Sequence, residues 1–241
     1  MSDFQPDGQY LLVVDSTEDE DARIFLSQRA AAFLVLADSL PDPILLWGRS
    51  GRVDSVPPTA LLERADGGID VADGTRRTYL GDLRPEGNEI VMAYDGRDVR
   101  LRLRPPLVGS HDLDELLDHS PDYVAGLSAY TPDAEAIRRL EELVSGVRVR
   151  IFFGSWCGAC KHYLPRALRV ERELASSPIR FQHYGLDDPP AGWEDAEVKE
   201  NRVTSLPTAI VYRGDEELGR LVGPEDFAEP ERTLLDIVGG G

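Results

Sequence analysis

One stretch limits what this chain can fold into more than any other. The run Val147-Arg148-Val149-Arg150-Ile151-Phe152-Phe153 reads as a β-strand and leads at once into Trp156-Cys157-Gly158-Ala159-Cys160-Lys161. A helix to about Ala175 follows, with Leu164, Ala167, Leu168 and Leu174 near the helical period. Both cysteines of the 241-residue chain lie in this motif. No cysteine is left for a structural bridge, a four-cysteine zinc site or a second redox pair. Where a strand closes and a helix opens, backbone N–H groups point outward and the helix dipole is positive. Both favour thiolate over thiol, so Cys157 is expected to have a lowered pKa, with Lys161 adding a positive charge. Cys160, one turn in, is expected to be more buried. The spacing brings the two sulfurs within bonding reach, as dithiol–disulfide exchange through a mixed disulfide requires. From the residues alone three readings stand: a redox pair, an inert buried pair, or a metal site joined by His162 or His183.

The flanking chain has a regular order. Thr131-Pro132 is a helix start, with a cap residue followed by proline in the first turn. The helix is predicted to run to about Val144 and to end at Gly146. Strands are predicted over 179–186, 208–212 and 218–222, the last two around a polar turn from Arg213 to Glu217. A short helix is predicted from Trp193 to Asn201, and a final one to about Val238. From Thr131 the order is α β α β α β β α.

With that order the sequence resembles the thioredoxin superfamily over about 131–241. Four matches carry the resemblance: Trp156-Cys157-Gly158-x-Cys160-Lys161; Pro165, five residues after the second cysteine; Leu206-Pro207-Thr208 before a strand; and Gly223 after the last hairpin. The resemblance implies a central mixed sheet flanked by helices. It implies Cys157 as the attacking and Cys160 as the resolving cysteine. Pro207 would be cis, and the Leu206 backbone would pair with an incoming peptide. Trp156, beside Cys157, is expected to face substrate, with Gly158, Ala159, Lys161 and Pro165 in support. The implied partners are a protein disulfide and an electron-donating or electron-accepting redox protein, with no cofactor and no metal. Two positions depart from the pattern. Ala159 stands where the family commonly has proline. Ile151 stands where thioredoxins carry a buried Asp thought to relay the resolving proton.

Ahead of this lies a different texture. Tyr10 to Val14 is a strand candidate. Thr17 with Glu20 looks like a capping box and predicts a helix from about Glu18 to Asp38, ended by Pro41 and Pro43. Its apolar residues Ile24, Phe25, Ala31, Ala32, Leu36 and Leu40 form no single stripe, which predicts cover on more than one side. Ile44 to Trp47 reads as a strand. Segments 60–64 and 69–71 flank the turn Asp66-Gly67-Gly68, and segments 89–94 and 99–104 flank Asp95-Gly96-Arg97-Asp98. Strict alternation puts Val99, Leu101 and Leu103 on one face and Arg100, Arg102 and Arg104 on the other. The arginines read either as a solvated face balanced by carboxylates or as a cationic ladder for an anionic ligand. Pro105-Pro106 breaks the pattern, and 107–130, rich in Gly, Ser, Pro and Asp, reads as a connector. The fold class expected is therefore α/β. A mostly β (α+β) domain of unknown function spans 1–106, a linker 107–130, and a thioredoxin-like domain 131–241.

A formal charge of −18 argues against nucleic acid and anionic membrane surfaces as partners. The first residues lack the basic and apolar regions of a secretory signal, and no run reaches the ~18 apolar residues of a membrane helix. A cytoplasmic, reducing location is expected, in which paired cysteines do redox or metal chemistry. The function expected is thiol–disulfide exchange on protein disulfides through Cys157 and Cys160. The competing readings are a redox-inactive or redox-sensing adaptor that binds a protein, and a metal or cluster carrier.

Overall fold

The computed structural model describes residues 3–142 and 146–239. Contacts divide the chain into two units, Met1–Arg104 and Pro105–Gly241.

Among the described residues of the first unit the regular elements are strands and one 3-10 turn. A six-stranded sheet has the order Gln5–Pro6, Arg23–Ser27, Ala32–Leu36, Ile44–Trp47, Arg52–Ser55, Thr78–Asp82. A five-stranded sheet has the order Arg84–Glu86, Glu89–Tyr94, Arg97–Leu103, Tyr10–Val14, Thr17–Asp19. Side chains alternate faces along a strand, and here both faces of the six-stranded sheet are covered. Ile24, Val35, Ile44 and Leu46 meet Leu12, Met92, Val99 and Leu101 of the other sheet. Phe25, Leu34 and Leu45 face the opposite way, against Phe4, Val56, Ile69 and Val71. Full burial of each such side chain stabilises by roughly 1.5–3 kcal/mol.

This two-sided burial corrects the helix predicted from Glu18 to Asp38. The segment is three strands, Thr17–Asp19, Arg23–Ser27 and Ala32–Leu36. Asp15 and Ser16 have φ of 49° and 70° and form the turn that pairs Val14 with Thr17, so Thr17 caps no helix. The missing apolar stripe was a sheet with two covered faces. Arg100 and Arg102 both reach Glu89, at 2.9 and 2.6 Å, and Arg100 also reaches Asp98 at 2.6 Å. Leu103 is exposed, unlike Val99 and Leu101.

In the second unit a five-stranded sheet has the order Gly109–His111, Arg180–Gly185, Val147–Phe153, Thr208–Arg213, Glu216–Val222. The Val147–Phe153 strand runs parallel to Arg180–Gly185 and antiparallel to Thr208–Arg213. Among the described residues eight helices join it: α1 (Leu113–His119), α2 (Pro121–Ala129), α3 (Ala134–Glu141), α4 (Gly158–Glu173), α5 (Ala191–Glu194), α6 (Ala196–Glu200), α7 (Gly223–Asp226) and α8 (Pro230–Gly239). The predicted continuation of α3 to Val144 falls outside the described residues. The helix predicted over 193–201 is two, broken at Asp195, whose side chain caps α6. The central strand explains its own sequence. Val147, Val149, Ile151 and Phe153 enter one core with α4. Phe152 enters the other, and Arg148 and Arg150 lie over the rings of Tyr212 and Phe152 at 4.4 and 5.2 Å. Arg150 also pairs with Glu197 at 2.8 Å.

The connector expected over 107–130 is part of this unit. Gly109–His111 is an edge strand paired with Arg180–Gly185. Asp112 and Glu115 cap α1 reciprocally, and Ser120 caps α2 with Pro121 in its first turn. Leu116, Tyr123 and Leu127 are buried in the core that holds α4. These helices are short and rich in small and acidic residues, so composition hid them. Gly126 permits the contact: a Cβ there would lie 2.8 Å from the Cβ of Pro165 on α4.

Replacing glycine by alanine inside a helix normally stabilises by about 1 kcal/mol. For Gly126→Ala the expected result is the reverse, a loss of about 1–3 kcal/mol from overpacking against the Pro165 ring. Thermal unfolding reads the sign, and a raised melting temperature would contradict this account of the α2–α4 contact.

Candidate active site

The Val147–Phe153 strand ends in the buried pair Gly154-Ser155, and the chain turns there into α4. Ser155 Oγ accepts the Leu107 N–H at 3.0 Å, which fastens the loop to the start of the unit. Gly154 stands under the Trp156 ring, and a Cβ at that position would lie 2.7 Å from it. The Trp156 indole N–H donates to the carbonyls of Leu186 and Asp187 at 3.0 and 3.1 Å. Trp156 is thus half-buried and held by the chain through its polar edge, leaving part of the ring accessible.

Cys157 is the N-cap of α4, and its sulfur accepts the Cys160 N–H at 3.4 Å. The Cys160 thiol also donates to that sulfur. This is the largest cause of a lowered Cys157 pKa, about 6; the Cys160 and Ala159 N–H groups and the Lys161 charge act the same way, against partial burial. Cys160 is fully buried, and its thiol is pushed up, first by the bond it donates to Cys157 and then by burial. One proton is therefore shared unequally. At neutral pH the accessible sulfur is mostly thiolate and the buried one is thiol, the arrangement a nucleophile with a reserve thiol requires. Both cysteines are free.

Gly158, Ala159 and Lys161 lie in the first turn of α4 and Pro165 is buried inside it. Register places a second segment at the same end of the sheet. Phe152 pairs with Thr208, so Leu206 and Pro207 precede the strand beside the one that leads into the cysteines. The Leu206–Pro207 bond is cis, Leu206 is half-buried, and the Pro207 carbonyl accepts the Gly223 N–H at 2.8 Å. Ile151 is buried in the core that contains Cys160.

The histidines considered as further ligands are elsewhere engaged. His183 is buried with Nε2 2.9 Å from Glu171, and the His162 ring packs edge-on to Tyr163 at 4.6 Å. Among the described residues no three His, Cys, Asp or Glu side chains converge as a metal site. Sequence reasoning passed over Tyr123, which shares the core with Cys160. The Ser120-Pro121 helix start was the available signal for it.

Comparison with known proteins finds sequence relatives for about a third of the chain. A thioredoxin of Chlamydia caviae is 32% identical over 84 residues, covering 35% of this chain and 76% of that protein. A bifunctional thioredoxin reductase/thioredoxin of Mycobacterium leprae is 33% identical over 87 residues, covering 36% of this chain and 18% of that protein. Among solved structures, thioredoxin from Trypanosoma brucei brucei is 25% identical with a TM-score of 0.32, covering 45% of this chain and 88% of that one. No protein-family model matches the chain.

Alkylation by iodoacetamide checks the electrostatics. Rising pH should increase the Cys157 rate through a midpoint of about 6 to a plateau, with Cys160 reacting far more slowly. In Cys160→Ala the thiol donor is gone, and the midpoint should rise toward the free-cysteine value of about 8.5. An unchanged midpoint in that variant would remove the shared proton from the account.

Proposed function

Since the chain belongs to the thioredoxin family, we propose that it is a thiol–disulfide oxidoreductase acting on protein disulfides through Cys157 and Cys160. The observation that carries the reading is the unequal proton between the two sulfurs at the head of α4. In the reducing direction the Cys157 thiolate attacks one sulfur of the partner disulfide. A bond forms from Cys157 to that sulfur, the partner's S–S bond breaks, and its other sulfur leaves as a thiolate that takes a proton from water. Cys160 then gives up its proton and attacks the Cys157 sulfur. The second partner sulfur leaves with that proton, and the chain is left with a Cys157–Cys160 disulfide. A dithiol donor of the reductase class returns the two electrons. The Mycobacterium leprae relative, named as both reductase and thioredoxin, supports that class of partner.

Trp156, Leu206 and Pro207 form the rim that receives the partner's peptide in this reading. Their support is the accessible part of the Trp156 ring and the place of Leu206-Pro207 at the same sheet end. Gly158, Ala159, Lys161 and Pro165 shape and charge the first turns of α4. The unit up to Arg104, read as a separate β domain, selects or presents partners. Two cysteines, both in the motif, fit a reducing compartment such as the cytoplasm. Among the described residues no helix is long and apolar enough to cross a membrane.

Trapping tests the roles. Cys160→Ser should accumulate mixed disulfides with partner proteins and Cys157→Ser should not, while the unaltered chain reduces insulin disulfides. Trapping by both variants or by neither would overturn the assignment, and a pair inert to alkylation and oxidation would leave the adaptor reading. Repeating the capture with residues 105–241 alone should change the set of partners if the first unit chooses them.

A further inference from the structure

The core behind the motif contains a polar group that the reaction above does not use. Tyr123, on α2, is 1% exposed, and its hydroxyl is buried with no hydrogen-bond partner among the described residues. A buried hydroxyl without a partner destabilises, and a phenylalanine would fill the same space without that cost. The Tyr123 ring belongs to one apolar cluster with Ile151, Phe153, Cys160 and Leu164. Burial above all holds its proton on, and the titratable neighbours Cys160, Cys157 and Asp122 act the same way in that order. The second half of the exchange has a matching need. Once Cys157 is bonded to a partner sulfur it no longer accepts the Cys160 proton, and negative charge must develop on a fully buried sulfur. Backbone N–H groups of Gly154 and Cys160 favour that charge.

We propose that the Tyr123 hydroxyl is the side-chain hydrogen-bond donor to the thiolate that develops on Cys160 Sγ during the resolving step. The inference rests on the oxidoreductase reading and deepens it. Tyr123 keeps its proton throughout. The Cys160 proton goes to the departing partner thiolate, the Cys157–Cys160 bond forms, and the bond from Cys157 to the partner breaks. A neutral hydrogen-bond donor to a forming anion is worth far more in a dry core than in water.

Tyr123→Phe removes the oxygen alone. Rapid-mixing and quench measurements with an insulin disulfide should show mixed disulfide forming at the unaltered rate. Its resolution should be about tenfold to hundredfold slower, as for loss of one hydrogen bond to a charged group. The pH midpoint of the resolving step should also rise, while the melting temperature stays equal or increases. Leu127→Ala, on the same helix, loosens the packing but keeps the hydroxyl, and its folded protein should resolve within about twofold of the unaltered rate. Resolution by Tyr123→Phe within about twofold of the unaltered chain between about pH 5 and 9 would overturn the role of Tyr123 and leave the oxidoreductase reading intact. A chain that neither turns over insulin nor traps through Cys160→Ser would overturn both.

Discussion

A single shared proton organises the second unit. Two sulfurs stand at the head of α4, and they cannot both be ionised so close together in a half-dry site. The accessible one keeps the charge first because the Cys160 thiol donates to it, and then because helix amides and a lysine favour it; the buried one keeps the proton because of that bond and its burial. Every neighbouring element serves that inequality. The Val147–Phe153 strand delivers the chain to the point where α4 begins. Gly154 and Ser155 make the turn, one lying under the Trp156 ring and the other tied to the Leu107 amide. The core of α2 and α4 keeps Cys160 dry. Exposing Cys160 to water would weaken the asymmetry from the buried side, while neutralising Lys161 would weaken it from the accessible side.

Much of this was legible in the sequence, and the reasons are local. Val147 to Phe153 alternates until its last residues, where both faces become covered. Thr131-Pro132 announces a helix through cap chemistry, and the cysteine spacing carries its own geometry. The turn at Asp95-Gly96, with φ of 52° and 77°, was readable for the same reason. What sequence reasoning missed was tertiary. Ile24-Phe25 and Leu34-Val35 send neighbouring side chains into different cores, so no periodicity test finds their strands. Composition made 107–130 look like a connector, because Leu116, Tyr123 and Leu127 are few and their helices short. Tyr123 was invisible for a second reason: it shares a core with Cys160, which lies 37 residues further along the chain.

The first unit illustrates a different economy. It buries both faces of one sheet with strands of five residues or fewer, and on its other sheet it pairs Arg100 and Arg102 with Glu89. A chain with so large a negative charge still has to avoid unpaired arginine, and local pairing of Arg100 and Arg102 with Glu89 does that without any external anion.

The contact of Gly126 with Pro165 has a consequence for how this chain can change over time. A backbone pressed against a proline ring links two positions 39 residues apart, one before the motif and one within its helix. A larger residue at either position has to be answered at the other, so drift there is correlated. The heritable module therefore starts near Pro105, and a recombination junction placed at Thr131 would sever α2 from the helix it shapes.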